Sequence, residues 1–283
     1  MIKRVIYYES IARKNSLQTV FIERISIVKY ILMIKGELKM SKIFCILFIL
    51  ISLQTVSRAQ PRFEKDSFQT SLGELEIIFV GHGTLIFTFQ NRIIHVDPWS
   101  NLADYRQLPK ADMILLTHEH ADHLDLGAIN LIQKDDTVIV QTEACLEKTG
   151  TGIVMKNGDT QTVKNIPIQA IPAYNIKHKR DNGQPFHPRG VGNGYVISFA
   201  DLKVYIAGDT ENIPEMADLK AIDIAFLPMN LPYTMTPEMV AEAAKMIKPK
   251  ILYPYHFGNT DTNQIIKLLK DQADIEVRVR KMS

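Results

Sequence analysis

An α/β fold whose sheets are covered on both faces is what this sequence predicts. Three observations carry that expectation. Short apolar strands recur from Glu74 onward. Several of them are apolar at successive positions, as strands buried on both faces are. Amphipathic helix patterns interleave with strands in the second half of the chain, where "TPEMVAEAAKMIKP" (236–249) and "NQIIKLLKDQ" (263–272) stand. That alternation is the mark of βα units.

Taken in order, "LEIIFVG" (75–81), "TLIFTF" (84–89) and "RIIHVDP" (92–98) sit close together with glycine or polar turns between them, and read as a β-meander. "ADMILLTH" (111–118) is a nearly continuous apolar run that stops at a histidine. The strands "TVIVQT" (137–142), "IPIQAIPAYN" (166–175), "GYVISFA" (194–200), "LKVYIAGDT" (202–210), "IDIAFLPMN" (222–230) and "KILYPYHFG" (250–258) follow. The helix over 236–249 has Thr236 as N-cap, Pro237 in its first turn and Pro249 at its end. Between the halves, "NIKHKRDNGQPFHPRGVGNG" (175–194) lacks apolar periodicity. Loops of that length in compact domains tend to be functional. Asp97, His118, Asn175, Asp209 and His256 all fall at strand ends. Strand ends in covered sheets face a common crevice, so these distant residues are expected to converge.

The N-terminal segment has a different character. Met40 to Gln60 reads "MSKIFCILFILISLQTVSRAQ": Lys42, an apolar stretch from Ile43 to Leu53, then Ser57-Arg58-Ala59 with small residues at −3 and −1. This is the form of a secretory signal peptide. The apolar stretch falls short of the roughly 20 residues of a membrane span, so a mature form without a stable span is expected; an uncleaved anchor is the alternative. The division is then 1–39, an upstream extension of a start at Met40; 40–59, the signal peptide; and 60–283, the folded domain. Residues 1–59 hold 10 of the 33 Lys and Arg and 3 of the 31 Asp and Glu. The rest carries 23 basic and 28 acidic groups, a net of −5, and all 8 histidines. A mildly acidic body argues against nucleic acid as a partner, since that binding is driven by positive charge. Of the two cysteines, Cys45 lies in the signal and Cys145 is left alone, so the domain has no disulfide of its own.

Residues 117–125 read "THEHADHLD". Three of the eight histidines stand here, directly after an apolar strand. A strand end followed by a tight loop can aim His118 and His120 at one metal ion. Asp122 and His123 then serve the same ion or a second. Neutral imidazole and carboxylate are the donors that divalent zinc, iron and manganese accept.

This segment is similar to the H-x-H-x-D-H signature of the metallo-β-lactamase fold, and further marks follow in the expected order. "HVDP" holds Asp97, which resembles the carboxylate supporting the metal loop. "IAGDT" holds Asp209, which resembles the metal-bridging carboxylate, and "YPYHFG" holds His256, which resembles the last ligand. "VGHGTLIF", "GDTENIPEM" and "FLPMNLPYTMTPEMVAEAA" look like the branch of ascorbate-6-phosphate lactonase-like and related metal-dependent hydrolases. The resemblance covers about residues 73–282 and implies a four-layer αββα sandwich with the metals between its sheets. It implies one or two divalent ions, zinc foremost with manganese or iron as alternatives, held by His118, His120, Asp122, His123, Asp209 and His256. Asp122 would also orient the attacking water.

One position departs from the family pattern. Asn175 stands in "IPAYN" where the superfamily carries a further histidine. This predicts a weaker first ion site, unless the Asn175 carbonyl, His178 or His187 completes it. Tyr174, Tyr233 and Thr234 are candidate substrate contacts. Lys177, Lys179, Arg180 and Arg189 against the single acid Asp181 make the loop basic, suited to an anionic small molecule. The functional expectation is hydrolysis of a small ester, lactone or phosphoester. Phosphodiester cleavage and metal binding without catalysis are the alternatives; β-lactam hydrolysis ranks below them, because a fold does not carry its substrate with it.

Signal cleavage after Ala59 is the first testable outcome. N-terminal sequencing of exported protein should begin at Gln60; a mature chain that retains Met40 would refute the cut.

Overall fold

The computed structural model describes residues 63–282. The extension 1–39 and the signal 40–59 lie outside the described residues.

Two seven-stranded mixed sheets form the centre. The first runs in chain order through β1 (Glu64–Thr70), β2 (Gly73–Gly81), β3 (Thr84–Phe89), β4 (Arg92–Val96), β5 (Met113–Leu115), β6 (Val138–Gln141) and β7 (Ile153–Val154). The second is built of β8 (Thr160–Val163), β9 (Ile166–Ala173), β10 (Gly192–Phe199), β11 (Leu202–Ile206), β12 (Ile224–Pro228), β13 (Ile251–Tyr255) and β14 (Glu276–Val277). Each sheet opens as an antiparallel meander, β1 to β4 and β8 to β11. Each then continues in parallel pairings to its last strand. The two halves therefore share one topology, although no repeat is visible in the residues.

Parallel pairing needs crossovers, and helices supply several of them. In the first half α1 (Leu126–Ile132) and α2 (Glu143–Thr149) lie along the chain between β5 and β7. In the second, α3 (Pro237–Ile247) joins β12 to β13, and α4 (Asn263–Leu268) follows β13. The sheets bury their inner faces against each other. Phe79 and Phe87 of the first meet Phe226 of the second at 6.2 and 6.4 Å between ring centroids, and Phe226 stacks on Tyr253 at 5.1 Å. A second apolar cluster, with Ile114, Leu116, Ile129, Ile132 and Ile139, seals α1 against the outer face of the first sheet. Residues Met239, Val240, Ala243 and Ala244 of α3 are buried in the main core. This is the αββα sandwich expected.

The capping of α3 is as anticipated: the Thr236 hydroxyl accepts from the Met239 amide at 3.2 Å. Two other helices escape the sequence reading. Helices α1 and α2 have seven residues each, too few to establish a period. Their caps are nonetheless written locally, with Asp125 accepting from the Ala128 amide and Thr142 from the Cys145 amide. The strands missed are β1 and β8, which expose alternate or nearly all residues, and the two-residue β7 and β14; none has a long apolar run.

His95 of β4 is fully buried in this frame. Its Nε2 lies 3.0 Å from the Pro109 carbonyl, and its Nδ1 has no partner. Burial, only partly offset by that carbonyl, pulls its pKa down to about 4. The unfolded chain takes up this proton near pH 6.5, the folded chain only near 4, so stability is lost as pH falls through that window. Urea unfolding of chelator-treated protein should show a loss of ~3 kcal/mol from this group between pH 7 and 4. His95→Gln should remove that share of the slope; an unchanged slope would exclude His95 as its source.

Candidate metal centre

The site forms where strands end. Asp97 follows β4, Thr117 and His118 follow β5, Asp209 follows β11 and His256 follows β13, while His82 turns the chain from β2 into β3. Asp97 organises the first of these loops. Its carboxylate is fully buried and accepts from the Thr117 amide at 2.8 Å, the Thr117 hydroxyl at 2.6 Å and His123 Nδ1 at 2.8 Å. The turn from His120 to His123 closes through the His123 and Leu124 amides, both donating to the His120 carbonyl. His82, Asp97 and His256 all have positive φ, at 50°, 45° and 47°. Non-glycine residues held there cost about 1–3 kcal/mol each and collect at functional sites.

The side chains converge in two groups that share Asp209. His118, His120 and His187 bring ring nitrogens within 4.8 Å of one another, and a carboxylate oxygen of Asp122 and ring nitrogens of His123, His256 and His82 do the same. Asp209 stands between them. Its Oδ2 is 3.2 Å from His187 Nε2 and 3.9 Å from His118 Nε2; its Oδ1 is 3.5 Å from both His123 Nε2 and His256 Nε2. Asp122 Oδ2 is 3.6 Å from His256 Nε2, 3.7 Å from His123 Nε2 and 3.1 Å from His82 Nε2. Each group thus has three imidazoles, with one oxygen of a shared carboxylate facing it.

Orientation of the rings completes the picture. His123 directs Nδ1 to Asp97, and His187 directs Nδ1 to the Asn175 side-chain oxygen at 2.8 Å. His118 Nδ1 is engaged by the Thr117 hydroxyl at 3.0 Å. Among the described residues, the inward nitrogens of His123, His187 and His256, and Asp209 Oδ1, are buried with no hydrogen-bond partner. A buried polar atom left unpaired costs about 1–3 kcal/mol, so four together at one point call for a ligand. Neutral imidazole and carboxylate, anchored from behind by other groups, are what a divalent transition metal takes. The donor set fits such an ion.

Charge is arranged to the same end. Although burial works against it, the neighbouring imidazoles hold Asp209 and Asp122 well below the usual carboxylate range. Burial pushes His118, His120 and His82 down, towards the neutral form that binds metal. His123 goes the other way, up to about 9: burial opposes it, but Asp209, Asp97 and Asp122 outweigh that cost. A cation of higher charge can displace that proton.

All six residues expected to bind metal come together. Two were missed as ligand candidates or left open. His82, between glycines at a strand turn, had its signal in "VGHGT", quoted above only for its resemblance. His187 returns from the long loop and brings a third imidazole to the first group, which is one of the alternatives left open above for completing that site. Asn175 is itself no ligand: its oxygen accepts from the His187 amide and ring. His178 lies beside Glu211, outside both groups. Tyr174 turns its hydroxyl to Glu215 and Thr234 is buried against Asn230, so neither lines the cleft, whereas Tyr233 does.

A cleft of about 650 Å³ opens over the centre, bordered by Trp99, Asn101, Arg180, Phe186, Asn230 and Tyr233. Arg180 lies 5.1 Å over the Phe186 ring, and Phe186 meets Tyr233 edge-on at 5.1 Å. Of the four basic loop residues named above, only Arg180 lines this cleft; Arg189 pairs with Glu215.

Residues 76–256 match the family model described as the β-lactamase superfamily domain. The chain belongs to that superfamily. It is 34% identical over 199 residues to a UPF0173 metal-dependent hydrolase of Koribacter versatilis, covering 65% of this chain and 84% of the relative. A crystal structure of a candidate metal-dependent hydrolase from Parabacteroides distasonis is 53% identical, with a TM-score of 0.75, covering 78% of this chain and all of that one. A metallo hydrolase of the archaeon Ignicoccus hospitalis, 24% identical with a TM-score of 0.61 over 73% of this chain and 95% of its own, shares the fold.

The packing of His123 and His256 leaves no room at Gly83. A Cβ there would stand 2.9 Å from His123 Cε1 and 3.6 Å from His256 Cδ2. His123 is pinned by Asp97 and cannot retreat. Gly83→Ala should therefore lower metal affinity about 10–100-fold, as loss of a ligand's support does. Calorimetric zinc titration checks this; unchanged affinity would mean that the ring has freedom to move.

Proposed function

We propose that this protein hydrolyses a small, anionic ester, lactone or phosphoester with a two-ion centre. The carrying observation is Asp209, whose Oδ2 faces His187 and His118 and whose Oδ1 faces His123 and His256; among the described residues the inward nitrogens of His187, His123 and His256 have no hydrogen-bond partner. His118, His120 and His187 would hold the first ion; His123, His256 and Asp122, with His82 against Asp122, would hold the second. Imidazole-rich sets of this kind favour zinc. When bound, such ions supply an acidified water as nucleophile and polarise the oxygen of the scissile group.

The chain's own residues do the rest. Asp122 is the site carboxylate on the cleft side, with its side chain 34% exposed while that of Asp209 is only 4% exposed. It is the group placed to orient the attacking water and hold its proton. Asp97 and Asn175 keep His123 and His187 in one tautomer. Trp99, Phe186 and Tyr233 supply apolar walls, and Arg180 supplies a positive charge for an anionic group. A cleft of about 650 Å³ is of small-ligand size. Export, argued from residues 40–59, would put this chemistry outside the cytoplasm.

A panel of esters, lactones, phosphomonoesters and phosphodiesters, run on zinc-loaded protein, tests the proposal. Asp122→Asn should lower kcat about 10²–10⁴-fold, as loss of a proton-handling group does. Arg180→Gln should raise KM for anionic substrates and leave neutral ones unaffected. Full activity in Asp122→Asn would remove that residue from the mechanism. Diesters turned over in preference to all other classes would replace the substrate reading.

A further inference from the structure

The loop that carries His187 has an anchor. Glu211 lies two residues beyond Asp209 and is fully buried. Its Oε2 accepts from the Ile176 and Lys177 amides at 2.9 and 2.7 Å. Its Oε1 accepts from the His178 amide at 2.6 Å and from the Asn175 side-chain amide at 3.3 Å. Three consecutive backbone donors and a side chain thus converge on one carboxylate. Asn175 passes the constraint on. Its amide also donates to the Tyr233 carbonyl at 2.9 Å, and its side-chain oxygen accepts from the His187 amide and from His187 Nδ1, both at 2.8 Å. The Asn175 backbone amide donates to the His187 carbonyl at 2.9 Å.

We infer that Glu211 is a positioning residue for the first ion, acting through Asn175 to hold His187 on target. The inference rests on His187 being a ligand. A ligand at a strand end is placed by the sheet. His187 is instead twelve residues past Asn175, on a segment with little regular structure, and the freedom of that segment opposes metal binding unless something removes it. Glu211 does so from the same short stretch that holds Asp209, two residues away, so one segment carries both Asp209 and the loop anchor. The Nδ1 hydrogen bond to Asn175 also fixes the tautomer that leaves Nε2 inward. A carboxylate is suited to this place because four donors need a full set of acceptor lone pairs and favour a negative charge.

The test is zinc titration by calorimetry, with metal content measured on the same samples and amide hydrogen exchange followed over residues 176–187. Glu211→Gln should weaken one ion about 10–100-fold, leave the other at wild-type affinity and speed exchange in the loop. Asn175→Ala should do the same with Glu211 intact, and it carries the test if Glu211→Gln fails to fold. His187→Ala should lose that ion outright. Wild-type affinity for both ions in Glu211→Gln, or in Asn175→Ala, overturns the inference. Equal weakening of both ions in these variants overturns it too, since that is general destabilisation. Two ions at wild-type affinity in His187→Ala overturns the ligand assignment, and the anchor with it.

Discussion

The interior position of Asp97 constrains everything around the metal centre. A carboxylate with no solvent contact must be matched by donors, or the fold bears a heavy desolvation cost. Thr117 and His123 provide them. Satisfying Asp97 therefore fixes the end of β5, the turn that follows and the direction of the His123 ring in one step. Once His123 is fixed, Gly83 has to be small and Asp209 has to face a nitrogen that none of the described residues pairs.

Asp209 plays the complementary part from the second sheet. The two sheets carry the same topology, and their strand ends meet at one edge of the sandwich. Each contributes carboxylate and imidazole to that edge, so neither half makes the centre alone. Packing of Phe79 and Phe87 on Phe226 sets the distance between the halves. Core packing is thereby linked to ligand geometry, and the rigidity of the sandwich supports the pre-organised site. Six of the eight histidines end up in or against the centre.

The cleft divides the labour differently. Its floor is made by strand ends and is fixed. Its wall is made partly by the 175–194 loop, through Arg180 and Phe186, and the same loop brings in His187. One stretch of irregular backbone thus serves both the histidine cluster and the cleft wall, and Glu211 ties it down.

Composition and order in the sequence determined the covered sheets, the helix after Thr236, and the gathering of His118, His120, Asp122, His123, Asp209 and His256. These were legible because strand ends and a dense histidine motif are local signals. The short helices α1 and α2 and the strands β1, β7, β8 and β14 were not, since seven residues or fewer, or an exposed face, give periodicity little to act on. His82 and His187 lay further beyond reach. A single histidine in a glycine turn, or in a polar loop, has the same local appearance whether it binds a metal or faces water. Only the tertiary structure brings their neighbours to them, because those are distant in the chain: Asp122 for His82, and Asn175 with Asp209 for His187. Asn175 shows the same limit from the other side. Its place at a strand end marked it as a deviant ligand, and long-range contacts instead put its side-chain oxygen against the His187 amide and ring.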